Sequence, residues 1–163
     1  MSRLGRTLEL LAGSLVALTG QASASPPPPR IEVIAYSADR HEESLADAYI
    51  SFVARSGAFD RAPISLENNA LRSCAGRETE ACIRKSLQGL KRTGATVVVI
   101  AESAGPGKQR WTCVGVGGSP FAAQKQVATF DLREAFFGKT DARFQQTLLA
   151  MGCIMSAAAE SGW

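Results

Sequence analysis

The chain has 163 residues, of which 45% are hydrophobic and 20% charged, and its formal net charge is +3 at pH 7. This length suits one domain with one hydrophobic core. The weak positive charge argues against nucleic-acid binding, which requires a clustered basic face. The basic residues between positions 84 and 92 are accompanied by Glu78 and Glu80, so a solvated helix face explains them better.

The first 24 residues have the three parts of a secretory signal peptide. Arg3 and Arg6 supply a positive start, residues 10–18 are apolar, and Ala22-Ser23-Ala24 offers the small residues that a signal peptidase requires. A transmembrane anchor is the alternative, but it needs about 20 apolar residues. We therefore expect cleavage after Ala24, a periplasmic or secreted protein, and no stable membrane span after cleavage.

A proline-rich segment follows the expected cleavage site. Pro26 to Pro29 favour an extended polyproline II conformation, which joins neither a helix nor a central strand. We expect residues 1–24 to be the signal peptide, 25–30 a stiff spacer and 31–163 a single domain.

Four cysteines lie in the expected mature chain: Cys74, Cys82, Cys113 and Cys153. An even number in an exported protein indicates disulfides, and four cysteines allow three pairings. We favour Cys74–Cys82, which closes a local loop, and Cys113–Cys153, which joins a predicted strand to the last helix. Redox-active pairs usually have the spacing C-x-x-C, which is absent from the sequence, and the one histidine, His41, is far from any cysteine. We expect no metal and no cofactor.

The first half of the domain begins with a buried strand, Ile31 to Tyr36, rich in β-branched residues. Asp39 then begins a helix, and the Glu42 three residues later indicates a capping box. Apolar residues recur at helical spacing until Gly57 ends the helix. A short second strand is predicted at Pro63 to Leu66.

The second half begins with a helix that Thr79 starts and Gly94 ends. The continuous apolar run from Ala95 to Ala101 predicts a central strand covered on both faces. Two further strands, Arg110 to Gly117 and Lys125 to Leu132, complete a meander.

The last helix is predicted at about Thr140 to Glu160. Along one face of it recur the apolar residues Phe144, Leu148, Met151 and Met155. The element order β-α-β-α-β-β-β-α predicts an α/β (α+β) fold, a mixed sheet with helices packed on it.

Residues 30 to 132 resemble the N-terminal domain of TolB and related bacterial envelope domains of the curli-assembly type. The resemblance lies in the strand–helix–strand layout of residues 31–66, with Ser56-Gly57-Ala58-Phe59 ending the helix. It continues through Cys82-Ile83-Arg84 and the entry Gly94-Ala95-Thr96 into the next strand, where Thr96 replaces the family's usual acidic residue. It implies a non-catalytic envelope domain that contacts other proteins, and it assigns no functional residue.

The strongest candidate for chemistry is an acidic cluster with a histidine: Asp39, His41, Glu42 and Glu43. A metal or acid–base site would require these side chains to converge. Acids at a helix start are also explained by capping and by the helix dipole, which we favour. The Gly115 to Ser119 segment lacks the lysine of a phosphate-binding P-loop, and a hairpin turn explains it better.

Three functions remain open at this stage. We favour an exported, non-enzymatic binding or interaction domain of the cell envelope, with another envelope protein as its partner. The alternative is a small secreted hydrolase that depends on carboxylates, because two acids can work without histidine. The third is a structural role in which the proline-rich segment tethers the domain to a larger assembly.

Overall fold

The structure is a computed structural model that describes residues 30–63, 69–76, 79–88, 96–116 and 126–160. The predicted signal peptide, most of the predicted spacer, the end of the second helix and the glycine-rich turn after residue 116 lie outside these residues. The strands and helices have the following bounds: β1 Glu32–Tyr36, α1 Arg40–Ala54, β2 Asp60–Arg61, α2 Thr79–Leu87, β3 Thr96–Ser103, β4 Lys108–Val116, β5 Gln126–Asp131, α3 Leu132–Phe137 and α4 Thr140–Glu160, with a 3-10 turn at Arg72–Cys74.

The five strands form one mixed sheet in the order β2-β1-β3-β4-β5. β1 is parallel to both of its neighbours, β2 and β3, whereas β3, β4 and β5 form an antiparallel meander. The parallel pairings require crossovers, and the helices α1 and α2 supply them. The α/β fold with a mixed sheet, predicted from the sequence, is confirmed.

Helices cover both faces of the sheet. On one face, α1, α3 and α4 pack against alternate residues of the central strands, including Val33, Val97, Val99 and Trp111. On the other face, α2 and the 3-10 turn pack against the intervening residues, such as Ile34 and Val98. Because β3 is covered on both faces, its side chains from Thr96 to Val99 are all buried, as its continuous apolar run predicted.

The second strand lies earlier in the chain than predicted. The backbone N–H groups of Asp60 and Ala62 donate to the carbonyl oxygens of Ile31 and Val33 at 2.8 and 3.1 Å. Pro63 follows this pairing and has no N–H with which to extend it. The prediction of a strand starting at Pro63 is therefore wrong, and the rest of that predicted strand lies outside the described residues.

The last helix faces the sheet with a different side from its predicted apolar stripe. Its buried residues are mainly small: Ala150, Cys153, Ile154, Ala157 and Ala158. Of the stripe identified in the sequence, only Met151 packs against the core, while Phe144, Leu148 and Met155 are exposed. Small side chains allow a close approach of helix to sheet, which explains why this side is buried.

A short helix, α3, was not predicted. It begins where β5 ends, because the Asp131 side chain accepts a hydrogen bond from the N–H of Glu134 at 3.1 Å and caps the helix. Gly138 ends it one residue after Phe137. α3 reverses the chain so that α4 runs back across the sheet.

The two disulfides join the pairs that the sequence favoured. Cys113 of β4 is bonded to Cys153 of α4, and Cys74 of the 3-10 turn is bonded to Cys82 of α2. Each face of the sheet therefore carries one disulfide within its own core cluster. Such bonds are typical of an oxidising compartment. None of the helices in the described ranges has the length and apolarity to cross a bilayer.

Removing the Cys113–Cys153 disulfide is expected to lower the free energy of unfolding more than removing Cys74–Cys82. The two bonds close sequence separations of 40 and 8 residues, which in the chain-entropy model contribute about 4 and about 2.5 kcal/mol. Urea unfolding of the two paired Cys→Ala variants measures the difference. A larger loss for the Cys74–Cys82 variant would contradict the expectation.

Candidate functional site

A cleft lies at the carboxyl ends of β1 and β3. The two strands are parallel neighbours, so both end at the same edge of the sheet. After β1 the chain passes through α1 to β2 on one side, and after β3 it turns into β4 on the other side, so the two connections diverge at this edge. In open α/β sheets ligands bind at such a point. The cleft has a volume of about 260 Å³.

The structure brings together two of the four residues of the predicted acidic cluster. Asp39 and Glu42 line the cleft, whereas Glu43 lines a smaller neighbouring cavity. His41 is exposed and lines neither. The cluster therefore does not converge on one point. A third carboxylate that the sequence did not single out, Glu102 at the end of β3, lines the cleft from the opposite strand.

Asp39 caps α1, as its position predicted. Its Oδ1 accepts a hydrogen bond from the backbone N–H of His41 at 2.8 Å. The reciprocal half of the predicted capping box is not formed, because the N–H of Asp39 donates to Ser37 Oγ at 3.1 Å instead of to Glu42. Ser37 thus takes over that role, and the Glu42 carboxylate turns toward the sheet.

Glu42 is held by a buried amide. Gln109 of β4 is fully buried, and its Nε2 donates to the backbone oxygen of Glu42 at 2.9 Å and to its Oε2 at 2.6 Å. Its Oε1 accepts from the indole N–H of Trp111 at 3.0 Å. This network satisfies the polar atoms of the Gln109 amide in a low-dielectric core and fixes the Glu42 carboxylate at the cleft.

Gln109 lay outside the predicted strand, which began at Arg110, two residues after the observed start at Lys108. Side chains alternate along a strand, so Gln109 shares a face with Trp111 and Cys113. Extending the alternation by one step would have placed a glutamine on the buried face. A buried amide requires hydrogen-bond partners, and that requirement was the available signal.

Tyr36 forms the floor shared by the cleft and its neighbouring cavity. Its hydroxyl is buried and has no hydrogen-bond partner in the part of the chain that the structure describes. Burial raises the pKa of the Tyr36 phenol above its ordinary value of 10.0, and the nearby Glu43 carboxylate raises it further. The phenol therefore stays neutral at physiological pH.

The chemistry of the cleft is acceptor-rich. Asp39, Glu42 and Glu102 contribute carboxylates, and no basic side chain or histidine is among the described residues that line it. Two of these carboxylates already accept hydrogen bonds from the protein's own groups. Within the described ranges, no three acidic, cysteine or histidine residues are grouped so as to hold a metal ion. These engagements give the acids a structural role at the start of α1.

Among the residues that the structure describes, most of the large exposed apolar side chains lie on α4. Phe137 in α3 is 86% exposed, and Phe144 and Leu148 in α4 are 61% and 51% exposed. Leu149, Met155 and Phe52 of α1 are each more than a third exposed. Single exposed apolar residues are ordinary, and α4 carries four of them along one helix.

α1 and α4 contact each other next to these exposed residues. The hydroxyl groups of Tyr49 and Thr147 are hydrogen-bonded at 3.3 Å, and the Arg143 guanidinium lies 5.8 Å from the centre of the Phe52 ring. These contacts, together with the Cys113–Cys153 disulfide, hold α4 in one orientation. The exposed residues are thus carried by a fixed helix.

Comparison with family models, curated proteins and solved structures gave no match. The resemblance to the TolB N-terminal domain therefore stays a prediction.

Replacing Gln109 by Met is expected to lower the free energy of unfolding by about 2–4 kcal/mol, because Trp111 Nε1 and Glu42 would lose their buried partner. Glu42→Gln keeps an oxygen that accepts from Gln109 and should cost under about 1 kcal/mol. Urea unfolding of both variants measures this. Equal losses would show that the charge of Glu42, and not the buried amide, matters.

Tyr36→Phe is expected to raise the free energy of unfolding by about 1 kcal/mol at pH 7, because it removes a buried hydroxyl without a partner. Tyr49→Phe is the matched control and should lower it, since it loses the hydrogen bond to Thr147. A lower stability of Tyr36→Phe would contradict this account.

The same two tyrosines predict a loss of stability at alkaline pH. Burial raises the pKa of Tyr36 and of Tyr49 in the folded chain, so the phenols ionise first in the unfolded chain. The part of the free energy of unfolding that comes from keeping these phenols neutral is present below pH 10 and is lost as the pH rises above it. We expect unfolding midpoints to fall above pH 10, and to fall less steeply in Tyr36→Phe. Identical slopes would show that Tyr36 does not contribute.

Proposed function

We propose that this protein is an exported, non-enzymatic interaction domain of the cell envelope, periplasmic or secreted, that binds a protein of the same compartment. The observation that carries the proposal is the exposed apolar surface of α4. A surface helix ordinarily places charged and polar residues toward water. α4 instead exposes Phe144, Leu148, Leu149 and Met155.

Export is supported by two independent features. The first 24 residues have the pattern of a secretory signal, and four cysteines form two disulfides. Disulfides persist in oxidising compartments and are rare in the cytosol. The resemblance to envelope domains of the TolB type points to the same location and to protein contacts.

The carboxylates of the cleft support the hydrolase alternative less well. A pair of catalytic carboxylates needs oxygens that face the substrate. Asp39 uses one oxygen to cap α1, and Glu42 uses one to bind Gln109. His41, the one histidine of the sequence, is exposed outside the cleft. These engagements favour interaction over catalysis.

Site-specific photo-cross-linking in the native cells tests the proposal. A photoreactive residue at Leu148, on the exposed side of α4, is expected to form a covalent adduct with a protein. The same residue at Ala81, an exposed position on α2 on the other face of the sheet, is the matched control and should form none. Mass spectrometry of the adduct identifies the partner.

Two results would overturn the proposed function. One is equal labelling at Leu148 and Ala81, which would mean random collision. The other is a substrate turnover that Asp39→Asn or Glu42→Gln abolishes while the unfolding midpoint is kept, which would make the protein an enzyme.

A further inference from the structure

The exposed side of α4 carries no charge between Phe144 and Ala159, a little over four turns. Asp141 and Arg143 precede this uncharged stretch. The exposed residues that the structure describes after them are Phe144, Gln145, Leu148, Leu149, Gly152, Met155, Ser156 and Ala159. We call these eight residues the α4 face. A partner recognised by charge would find no complement on it, and an amphipathic helix for lipid surfaces would carry Lys or Arg along its flanks.

The residues of the α4 face are sorted by size along the helix. Phe144, Leu148 and Leu149 occupy its N-terminal half, and Gly152, Ser156 and Ala159 occupy most of its C-terminal half. Two such helices packed antiparallel about a two-fold axis would set the large half of each against the small half of the other. A two-fold interface requires a self-complementary surface of this kind.

The available area fits a dimer. An aromatic side chain presents about 200 Å², so the exposed part of Phe144 leaves about 120 Å² of aromatic surface in water on each copy. Two copies would then bury about 240 Å² from this phenylalanine alone. The aliphatic residues of the α4 face and its small residues extend this toward the roughly 1,200–2,000 Å² of a stable specific interface.

We propose that the α4 face binds the α4 face of a second copy of this chain, antiparallel about a two-fold axis. This inference rests on the proposed function and narrows the partner on that surface to the protein itself. Leu148 and Gly152 lie one turn apart near the middle of the face, so each would lie close to the axis and enter the interface twice.

Gly152 offers a probe that separates the interface from the fold. A Cβ built at Gly152 meets nothing within 4 Å, so a side chain there has room in the single chain. Replacing an exposed helical glycine by leucine should raise the stability of the single chain, because glycine is a poor helix former. In the proposed dimer the same leucine would occupy the space that receives the large half of the partner.

The test is the mass of the exported, oxidised protein in solution, measured by light scattering at micromolar concentration. We expect the wild type to have twice the mass of one chain. Leu148→Glu and Gly152→Leu are each expected to weaken the dimer by more than about 100-fold, since each change is made twice in a two-fold interface. Ala81→Glu on α2 introduces the same acid elsewhere and should leave the dimer intact.

The outcomes separate this inference from the proposed function. A wild type with the mass of one chain overturns the inference, as does a dimer that withstands both α4 substitutions. If photo-cross-linking at Leu148 then captures a different protein, the proposed function stands and only the inference that the partner is a second copy is wrong. If no adduct forms either, both are overturned. A dimer lost in Gly152→Leu, in a variant that still unfolds in one cooperative transition, supports the inference and excludes misfolding as the cause.

Discussion

A covalent bond between Cys113 of β4 and Cys153 of α4 sets how α4 turns toward the sheet. Cys153 must face β4, so the residues on the same side of the helix, Ile154 and Ala157 among them, face the sheet as well. The opposite side is then directed to solvent. The position of one cysteine thereby decides which apolar residues form core and which form surface.

The start of α1 depends in a similar way on one buried amide. Gln109 bonds both the backbone and the side chain of Glu42, and through Trp111 it joins them to the aromatic cluster, where the Trp111 and Phe130 ring centres lie 4.3 Å apart. An unpaired buried amide is costly, so this end of the helix is held in register with β4. Glu42, one of the acids that first suggested chemistry, thus anchors the helix to the sheet.

Local signals in the sequence predicted most of the fold. The apolar run of β3 indicated a strand covered on both faces, and Asp39 indicated the start of α1, because burial and capping depend on neighbouring residues. β2 was misplaced, since its pairing depends on where β1 begins and Pro63 offered a plausible strand entrance. α3 was missed because Asp131 fitted a strand end as well as a helix cap.

The candidate surface was less predictable, because periodicity identifies an apolar stripe without saying which way it faces. The sequence nonetheless contained the information. Cys153 lies nine residues after Phe144, which at 3.6 residues per turn is two and a half turns, so the two residues face opposite sides of the helix. If Cys153 is bonded to β4, Phe144 must be exposed. A Cys113–Cys153 disulfide is therefore incompatible with an apolar stripe around Phe144 that faces the sheet.

Magnitudes show what this orientation costs. Fully burying a residue such as Phe, Leu or Met contributes about 1.5–3 kcal/mol, so the exposed fractions of Phe144, Leu148 and Met155 forgo about 2–4 kcal/mol. The disulfide, at about 4 kcal/mol, offsets that loss. A chain selected for stability alone would place polar residues at these positions, because they lie outside the core. Burial of these side chains against another surface would recover the same free energy.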